Sequence, residues 1–149
     1  MAVYKYGKGD KGVAHFPKKF VTLYGTAAIT EGRFVSINLS DSTNGLGGSV
    51  VTAAVGPGST EHQALTFGVA TETTTVAGPI VVQIAGKYEN AYVDGSTAAG
   101  DALCGPLSGG TAGMAGLLAE TTFGNVVAVA LEADSGNLAD VMIVNQGFF

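Results

Sequence analysis

Apolar residues occur along this chain in short runs separated by Gly, Thr, Ser and Asp. The clearest example is 64–107, where apolar runs at 64–70 and 79–85 flank a Thr/Glu segment. No run reaches the length of a buried helix, and short runs bounded by turn residues are typical of β-strands joined by tight turns. We therefore predict strands over residues 20–24, 33–39, 49–55, 65–70, 79–85, 88–93, 126–132 and 140–145.

The final third of the chain carries the clearest hairpin. The apolar runs 126–132 and 140–145 flank Asp134-Ser-Gly-Asn137, a loop somewhat longer than the two-residue hairpin turn. Period-two alternation then indicates which side chains enter the core. On this basis we expect the core side of the hairpin to hold Val127, Val129 and Leu131, with Val141 and Ile143 as their partners.

Several segments have the composition of loops. Residues 40–48 combine Ser, Asp, Asn and Gly, and Gly56-Pro-Gly ends the strand. One helical turn is predicted at 60–65, where Thr60 is an allowed N-cap. Residues 105–116 are rich in Gly, Ala and Ser, which indicates either a flexible loop or a segment of close backbone approach. The pattern predicts an all-β fold, a small β-barrel or β-sandwich of short strands, with strand order left open. We assign residues 20–149 to one domain.

The first residues show neither the two-residue period of a strand nor the 3.6-residue period of a helix. Residues 1–19 are aromatic, basic and punctuated by Gly, and we predict an extended arm that reaches about 65 Å when fully stretched. Arms of this kind often order on binding. The alternative is a disordered start without a role. We predict that the arm contacts a partner protein or a neighbouring copy through Tyr4, Lys5, Tyr6, Lys8, Lys11, Phe16, Lys18 and Lys19.

Charge is unevenly distributed. Residues 1–33 hold six basic and two acidic residues, a net charge of +4. Residues 34–149 hold one lysine, Lys87, against ten acids, a net charge of −9. A basic leader on an acidic body favours an arm that binds an acidic surface, while the acidic body disfavours nucleic-acid binding.

The low share of charged residues favours a protein that works through contacts with other subunits. Charged residues make up 13% of the chain and hydrophobic residues 46%, with 23 glycines. A surface so poor in charge is unusual for a free monomer and is typical of proteins covered by other subunits. The alternative is a compact, mildly acidic globule. The terminal Phe148 and Phe149 are also expected to dock on a partner.

The sequence contains few candidates for catalytic or metal-binding residues. His15, His62 and Cys104 are far apart and match no metal-ligand spacing, and no Gly-x-Ser-x-Gly sequence occurs. A lone cysteine forms no intrachain disulfide, and this one is expected to be a small buried side chain. No apolar stretch is long enough for a membrane helix, and no secretory leader is evident. We predict no enzymatic activity, no cofactor, no metal and no membrane partner.

Short motifs in the body carry a family resemblance. Residues 67–70, residues 73–82 with Ala77-Gly78, the Gly86 turn, and 98–103 resemble the head decoration proteins of tailed bacteriophages, also called capsid cement proteins. The similarity covers roughly residues 25–147. It implies a β-rich protein on the capsid exterior, made in the host cytoplasm, that assembles as a homotrimer and cements neighbouring subunits of the major capsid protein. The basic arm is less typical of that family, and the resemblance makes a coat subunit the partner that we expect it to contact.

Two other functional classes stay open. One is a different virion component, such as a tail-tube, spike or fibre subunit, since these also have short strands and Gly-rich turns. The other is a small β-barrel enzyme or ligand-binding protein, which would require a polar pocket holding His62 or Cys104.

Overall fold

The protein is an all-β molecule, as the apolar pattern predicts. The computed structural model describes residues 17–38, 49–52, 66–107, 110–118 and 125–148. Within these ranges no helix occurs, so no helix is long and apolar enough to cross a membrane. The strands are β1 (Lys19–Gly25), β2 (Phe34–Ile37), β3 (Ser49–Thr52), β4 (Thr66–Ala70), β5 (Gly78–Tyr92), β6 (Ala102–Cys104), β7 (Gly116–Leu117), β8 (Asn125–Ala130) and β9 (Leu138–Phe148).

Five strands close into a small barrel. Their order is β1-β3-β2-β4-β5, and β5 returns to pair with β1. The β1–β3 contact is parallel, and the other four pairings are antiparallel. Closure leaves no open sheet edge among these pairings, and the interior is filled by side chains. The barrel core consists of Ile29, Val35, Val50, Ala70, Ile80 and Val82, with Val21, Leu23, Phe67 and Ile84 packed against it.

β5 is the strand that organises the molecule. Its first half lies in the barrel, and its second half, from Gly86 onwards, pairs with β9. The predicted strands 79–85 and 88–93 are therefore one strand with a bend. Gly86 has φ +89, and a Cβ there would lie 3.0 Å from the Cα of Lys18. A side chain at the bend would be strained and would collide with the backbone that enters β1.

The second half of β5 begins a second sheet, which covers one side of the barrel. Its order is β5-β9-β8-β6-β7, and a parallel bridge between Val93 and Ala115 connects its two ends. Its core also includes Phe34 and Val69, which come from barrel strands and point outward from the barrel. The other members are Tyr88, Ala91, Val93, Leu103, Ala115, Val127, Ala128, Ala130, Ala139, Val141 and Ile143.

The Gly-rich segment 105–116 is a close-approach segment where it is described. Met114 and Ala115 are buried, and β7 starts at Gly116. A Cβ on Gly116 would lie 2.5 Å from the Cγ of Leu107. The glycine therefore allows the chain to fold back on itself, and the flexible-loop interpretation does not describe these residues.

The hairpin prediction is confirmed, but the face assigned to β8 is partly wrong. Val127, Val141 and Ile143 are buried as expected, whereas Val129 is half-buried and Leu131 is 41% exposed. The partners of Ile143 and Val141 are Ala128 and Ala130. A register shift between Val126 and Ala128 changes which residues face the core, because a bulge interrupts period-two alternation.

The loop 40–48 and the helical turn at 60–65 lie outside the described residues, as do residues 1–16 of the predicted arm. The proposed division between an arm and one domain at residue 19 stays a prediction. Within the described part, Lys19 is the first residue of β1 and pairs with Ala85.

Candidate interaction surfaces

The outer face of β1 is an exposed apolar surface. Alternation sends Val21 and Leu23 toward the barrel core and leaves Phe20, Thr22 and Tyr24 outside. Phe20 is 53% exposed and Tyr24 is 39% exposed. In the antiparallel register, Thr22 lies opposite Val81 and Tyr24 opposite Pro79. We call Phe20, Thr22, Tyr24, Pro79 and Val81 the β1 face, and none of them is charged.

The two ends of the β1 face differ in their neighbours. Lys18 and Lys19 are exposed at the end where β1 begins. Beyond the other end, the turn at 26–31 joins the turn at 71–77 through hydrogen bonds between Ile29 and Thr74. These turns carry Glu31, which lines the polar cleft described below, and Glu72, whose Oε1 accepts a hydrogen bond from the Val81 N–H at 3.1 Å. The β1 side of the barrel is therefore an uncharged surface with lysines at the end where β1 begins.

The start of β1 also borders a groove. The groove has a volume of about 320 Å³ and lies where β5 leaves the barrel for β9, between the entry to β1 and the edge of the second sheet. Its lining residues are mainly apolar: Pro17, Lys19, Ala85, Gly86, Met142, Ile143 and Val144. Pro17, which directly follows residues 1–16 of the predicted arm, therefore lies at this groove.

Three of the predicted contact residues, Lys18, Lys19 and Phe148, belong to the described part of the chain. Lys18 and Lys19 are exposed at the start of β1, as a contact would require. Phe148 is the last residue of β9, where it pairs with Asn125. The remaining predicted contact residues lie outside the described residues: Tyr4, Lys5, Tyr6, Lys8, Lys11, Phe16 and Phe149.

A polar cleft of about 350 Å³ lies between the barrel and the second sheet. Its lining includes Thr30, Glu31, Tyr88, Glu89 and Tyr92. The Tyr88 hydroxyl donates to the Ala70 carbonyl at 3.0 Å. Burial, followed by the negative charge of Glu31, raises the pKa of Tyr88. This hydroxyl therefore stays protonated and acts as a structural donor between the two layers.

One wall of this cleft is fixed by Arg33, a residue that no motif or periodicity singles out. The guanidinium carbon of Arg33 lies 4.1 Å from the centroid of the Tyr92 ring. Its Nη1 donates to the Ala112 carbonyl at 2.7 Å. Cation–π contacts of this kind are favourable, and this one ties the start of β2 to the end of β5 and to the segment before β7.

An ion-pair cluster lies on the second sheet. Lys87 Nζ is 2.7 Å from Asp140 Oδ2 and 3.4 Å from Glu89 Oε1. The hydrogen bond from Lys87 lowers the pKa of Asp140, and the bond to Asp140 raises the pKa of Lys87. The cluster joins β5 to β9 across the pair Lys87–Met142.

Cys104 is placed as a structural residue. It is fully buried at the end of β6, and its Sγ donates to the Gly116 carbonyl at 3.5 Å. Burial raises the pKa of the thiol to about 11, which disfavours the thiolate that a nucleophile needs. His15 and His62 lie outside the described residues. Among the residues that are described, no group of His, Cys, Asp and Glu could hold a metal ion.

The comparison with solved structures shows the fold. The chain is similar to the N base of head fiber gp8.5 from bacteriophage phi29, with a TM-score of 0.53 and 17% sequence identity. The superposition covers 88% of this chain and 98% of the phage protein. No protein-family model matches the chain. No curated protein sequence matches it either. The likeness is therefore one of architecture, over nearly the whole of the fibre base.

Proposed function

We propose that this protein is a structural component of a bacteriophage virion that binds the outside of the capsid and cements neighbouring subunits of the major capsid protein. The observation that carries the proposal is the shared architecture with a phage head fibre base, over 98% of that base. The sequence motifs at 67–82 and 98–103 resemble capsid decoration proteins, which also act on the head. Both likenesses support a role at the outer surface of a phage head.

The described surfaces support a role in contact. The barrel presents an uncharged face that includes Phe20 and Tyr24, and lysines flank the point where the basic arm joins. An apolar patch bordered by charge is the usual composition of a protein–protein interface. Cys104, the only cysteine of the sequence, is buried, and burial raises the pKa of its thiol to about 11. We accordingly propose a structural protein without enzymatic activity.

The arm is proposed to supply the attachment. Lys5, Lys8 and Lys11 would pair with acidic residues of the coat, while Tyr4 and Tyr6 would fill apolar pockets. The test is co-sedimentation of the full chain with capsid shells of the phage that encodes it. We expect binding to be lost when residues 2–16 are deleted, and weakened when the three lysines become Gln.

A lysine on the body gives the matched control. Lys87 is already paired with Asp140 at 2.7 Å, so Lys87→Gln should bind shells as the wild-type chain does. Full-strength binding by the deletion variant would remove the arm from the mechanism. Failure of the full chain to bind any shell of its own phage would contradict the cement function itself.

A second candidate is the base of a head fibre, which the same structural likeness favours. Cryo-electron microscopy of the virion separates the two functions. A cement protein would appear as compact density across the joints between coat subunits. A fibre base would appear as the root of a projecting shaft, built from further protein.

A further inference from the structure

We propose that the groove between β1 and β9 is filled by this chain's own residues 13–16, with the Phe16 side chain as the anchor, so that residues 1–12 of the basic arm are left to reach a partner. The inference goes beyond the proposed function, because it concerns the chain on its own, before any coat protein is present. It is carried by the apolar lining of the groove and by the point at which the chain enters it.

The chain enters the described structure inside this groove. Ala85 of β5 pairs with Lys19 of β1. The next residue of β5, Gly86, pairs with Ile143 of β9. β1 and β9 therefore separate at this point of β5, and the groove of about 320 Å³ lies between them. Pro17 belongs to its lining, and the Pro17 carbonyl oxygen lies 3.1 Å from the position that a Cβ on Gly86 would take.

The floor of the groove is an apolar surface that belongs to neither buried core. Val141 and Ile143 of β9 are members of the core of the second sheet. Alternation therefore turns Met142 and Val144 to the opposite side of the strand. Both line the groove, both are half-buried, and neither is a member of the two cores. Such a surface gains from contact with an apolar side chain that removes it from water.

The sequence that leads into the groove has the matching composition. It reads Val13-Ala-His-Phe16 and holds no Lys, Arg, Asp or Glu, whereas residues 1–12 hold three lysines and an aspartate. Phe16 directly precedes Pro17, so its Cα is about 3.8 Å from that of a residue in the lining. The residue before a proline is restricted to extended backbone, and an aromatic side chain buries a large apolar area. Phe16 is therefore the aromatic residue of the arm best placed to fill the groove.

The covalent connection favours the chain's own segment over the arm of a second copy. A segment joined to its site without a linker has an effective concentration on the order of millimolar or more, which exceeds that of a second copy in a micromolar solution. Tyr4 and Tyr6 are separated from the groove by glycines at positions 7, 9 and 12. With residues 13–16 held in place, the free part of the arm reaches about 40 Å when fully stretched.

The direct test is NMR of the full chain without capsid shells. We expect nuclear Overhauser effects between the Phe16 ring and the methyl groups of Met142 and Val144. A sample that mixes isotope-labelled and unlabelled chains distinguishes contacts within one chain from contacts between two. The expected contacts are those within one chain.

Thermal unfolding of variants measures the contribution of the anchor. Phe16→Ser should lower the melting temperature by about 3–6 °C, the shift expected when a domain of this size loses one partly buried aromatic side chain. Tyr6→Ser is the matched control in the same arm and should leave the melting temperature unchanged. Deleting residues 2–16 should lower it as much as Phe16→Ser does, whereas deleting residues 2–11 should not.

A double-mutant cycle tests whether Phe16 and the floor of the groove act together. Val144→Ser removes an apolar side chain of the lining, and its effect should be smaller in the Phe16→Ser background than in the wild type. Additive effects of the two substitutions would contradict a contact between them.

Three further results would overturn the proposal. A melting temperature unchanged by Phe16→Ser and by deletion of residues 2–16 would show that the segment does not fill the groove. An equal loss from Tyr6→Ser would show that Phe16 is not the anchor. Contacts of Phe16 that occur only between labelled and unlabelled chains would assign the groove to the arm of a second copy.

Discussion

Two parts of one barrel wall carry similar side chains and meet different environments. Phe34 and Val69 project from the side of the barrel that the second sheet covers, and both are 0% exposed. Phe20 projects from the same row of residues on the other side and is 53% exposed, with Tyr24 nearby at 39%. The difference shows that burial on this barrel is decided by what lies over the wall. The side chains themselves suit a covered position on both sides.

The largest expected effect is the difference between the two phenylalanines. Phe34→Ala should destabilise the fold by about 3–5 kcal/mol, because it leaves a cavity between the barrel and the second sheet. Phe20→Ala should cost less than about 1 kcal/mol in the isolated chain, since half of its side chain already meets water. Urea unfolding followed by circular dichroism at low protein concentration measures both.

Equal losses from these two variants would contradict the comparison. They would mean that Phe20 is buried within the single chain and that the β1 face is not exposed in solution.

A smaller loss of stability is expected from a substitution at Gly68, in strand β4 of the barrel. A Cβ at Gly68 would lie 2.6 Å from Val82 Cγ1 and 2.7 Å from the Gln83 carbonyl oxygen, so β4 and β5 would have to separate. Gly68→Ala should therefore destabilise the fold by about 1–3 kcal/mol, as overpacking does.

Gly78 provides the matched position in β5, because a Cβ added there would have no atom within 4 Å. Gly78→Ala should leave the denaturation midpoint nearly unchanged. Equal sensitivity at the two glycines would show that the close β4–β5 approach is not what requires Gly68.

The smallest effect is expected on the solvent side of the second sheet. Folding lowers the pKa of Asp140 from its ordinary value of 3.8, mainly through the hydrogen bond from Lys87. The stability from this pair is therefore present above the unfolded pKa and is lost as the pH falls through the folded pKa. Asp140→Asn should flatten that acid-side loss in thermal unfolding curves recorded from mildly acidic pH down through the folded pKa.

The same bond can be observed directly. NMR titration of the carboxyl carbon should give Asp140 a pKa below its ordinary value, and Lys87→Met should move that value upward. An unchanged Asp140 pKa in Lys87→Met would show that the lysine is not the cause of the shift.

The strands are predictable because period-two alternation and turn residues are local signals. Residues 79–85 and 88–93 are recognisable as apolar strands, but their continuity through Gly86 is not, since a glycine is equally compatible with a turn or a bend. The predicted face of β8 is partly wrong because Ala128 and Ala130 look less apolar than Val129 and Leu131. A bulge at Val126–Ala128 shifts the register, and alternation alone does not reveal a bulge.

The sequence predicts which residues of β1 share a face, but it does not predict which face is exposed. Alternation in Phe20-Val-Thr-Leu-Tyr24 already puts both aromatics on one face. It does not show whether the aromatic face or the Val21–Leu23 face is the covered one. The contact of Arg33 with Tyr92 has no local signal, because the two residues meet only through the pairing of distant segments.

The amino-acid sequence alone determined the class of fold, the positions of most strands and the separation of a basic start from an acidic body. These follow from local patterning and from composition, which need no knowledge of neighbours. Only the tertiary structure decided that β5 serves two layers, and that the second sheet covers Phe34 and Val69 but stops short of Phe20. Such choices depend on long-range pairing, because a side chain is buried by residues that are far from it along the chain.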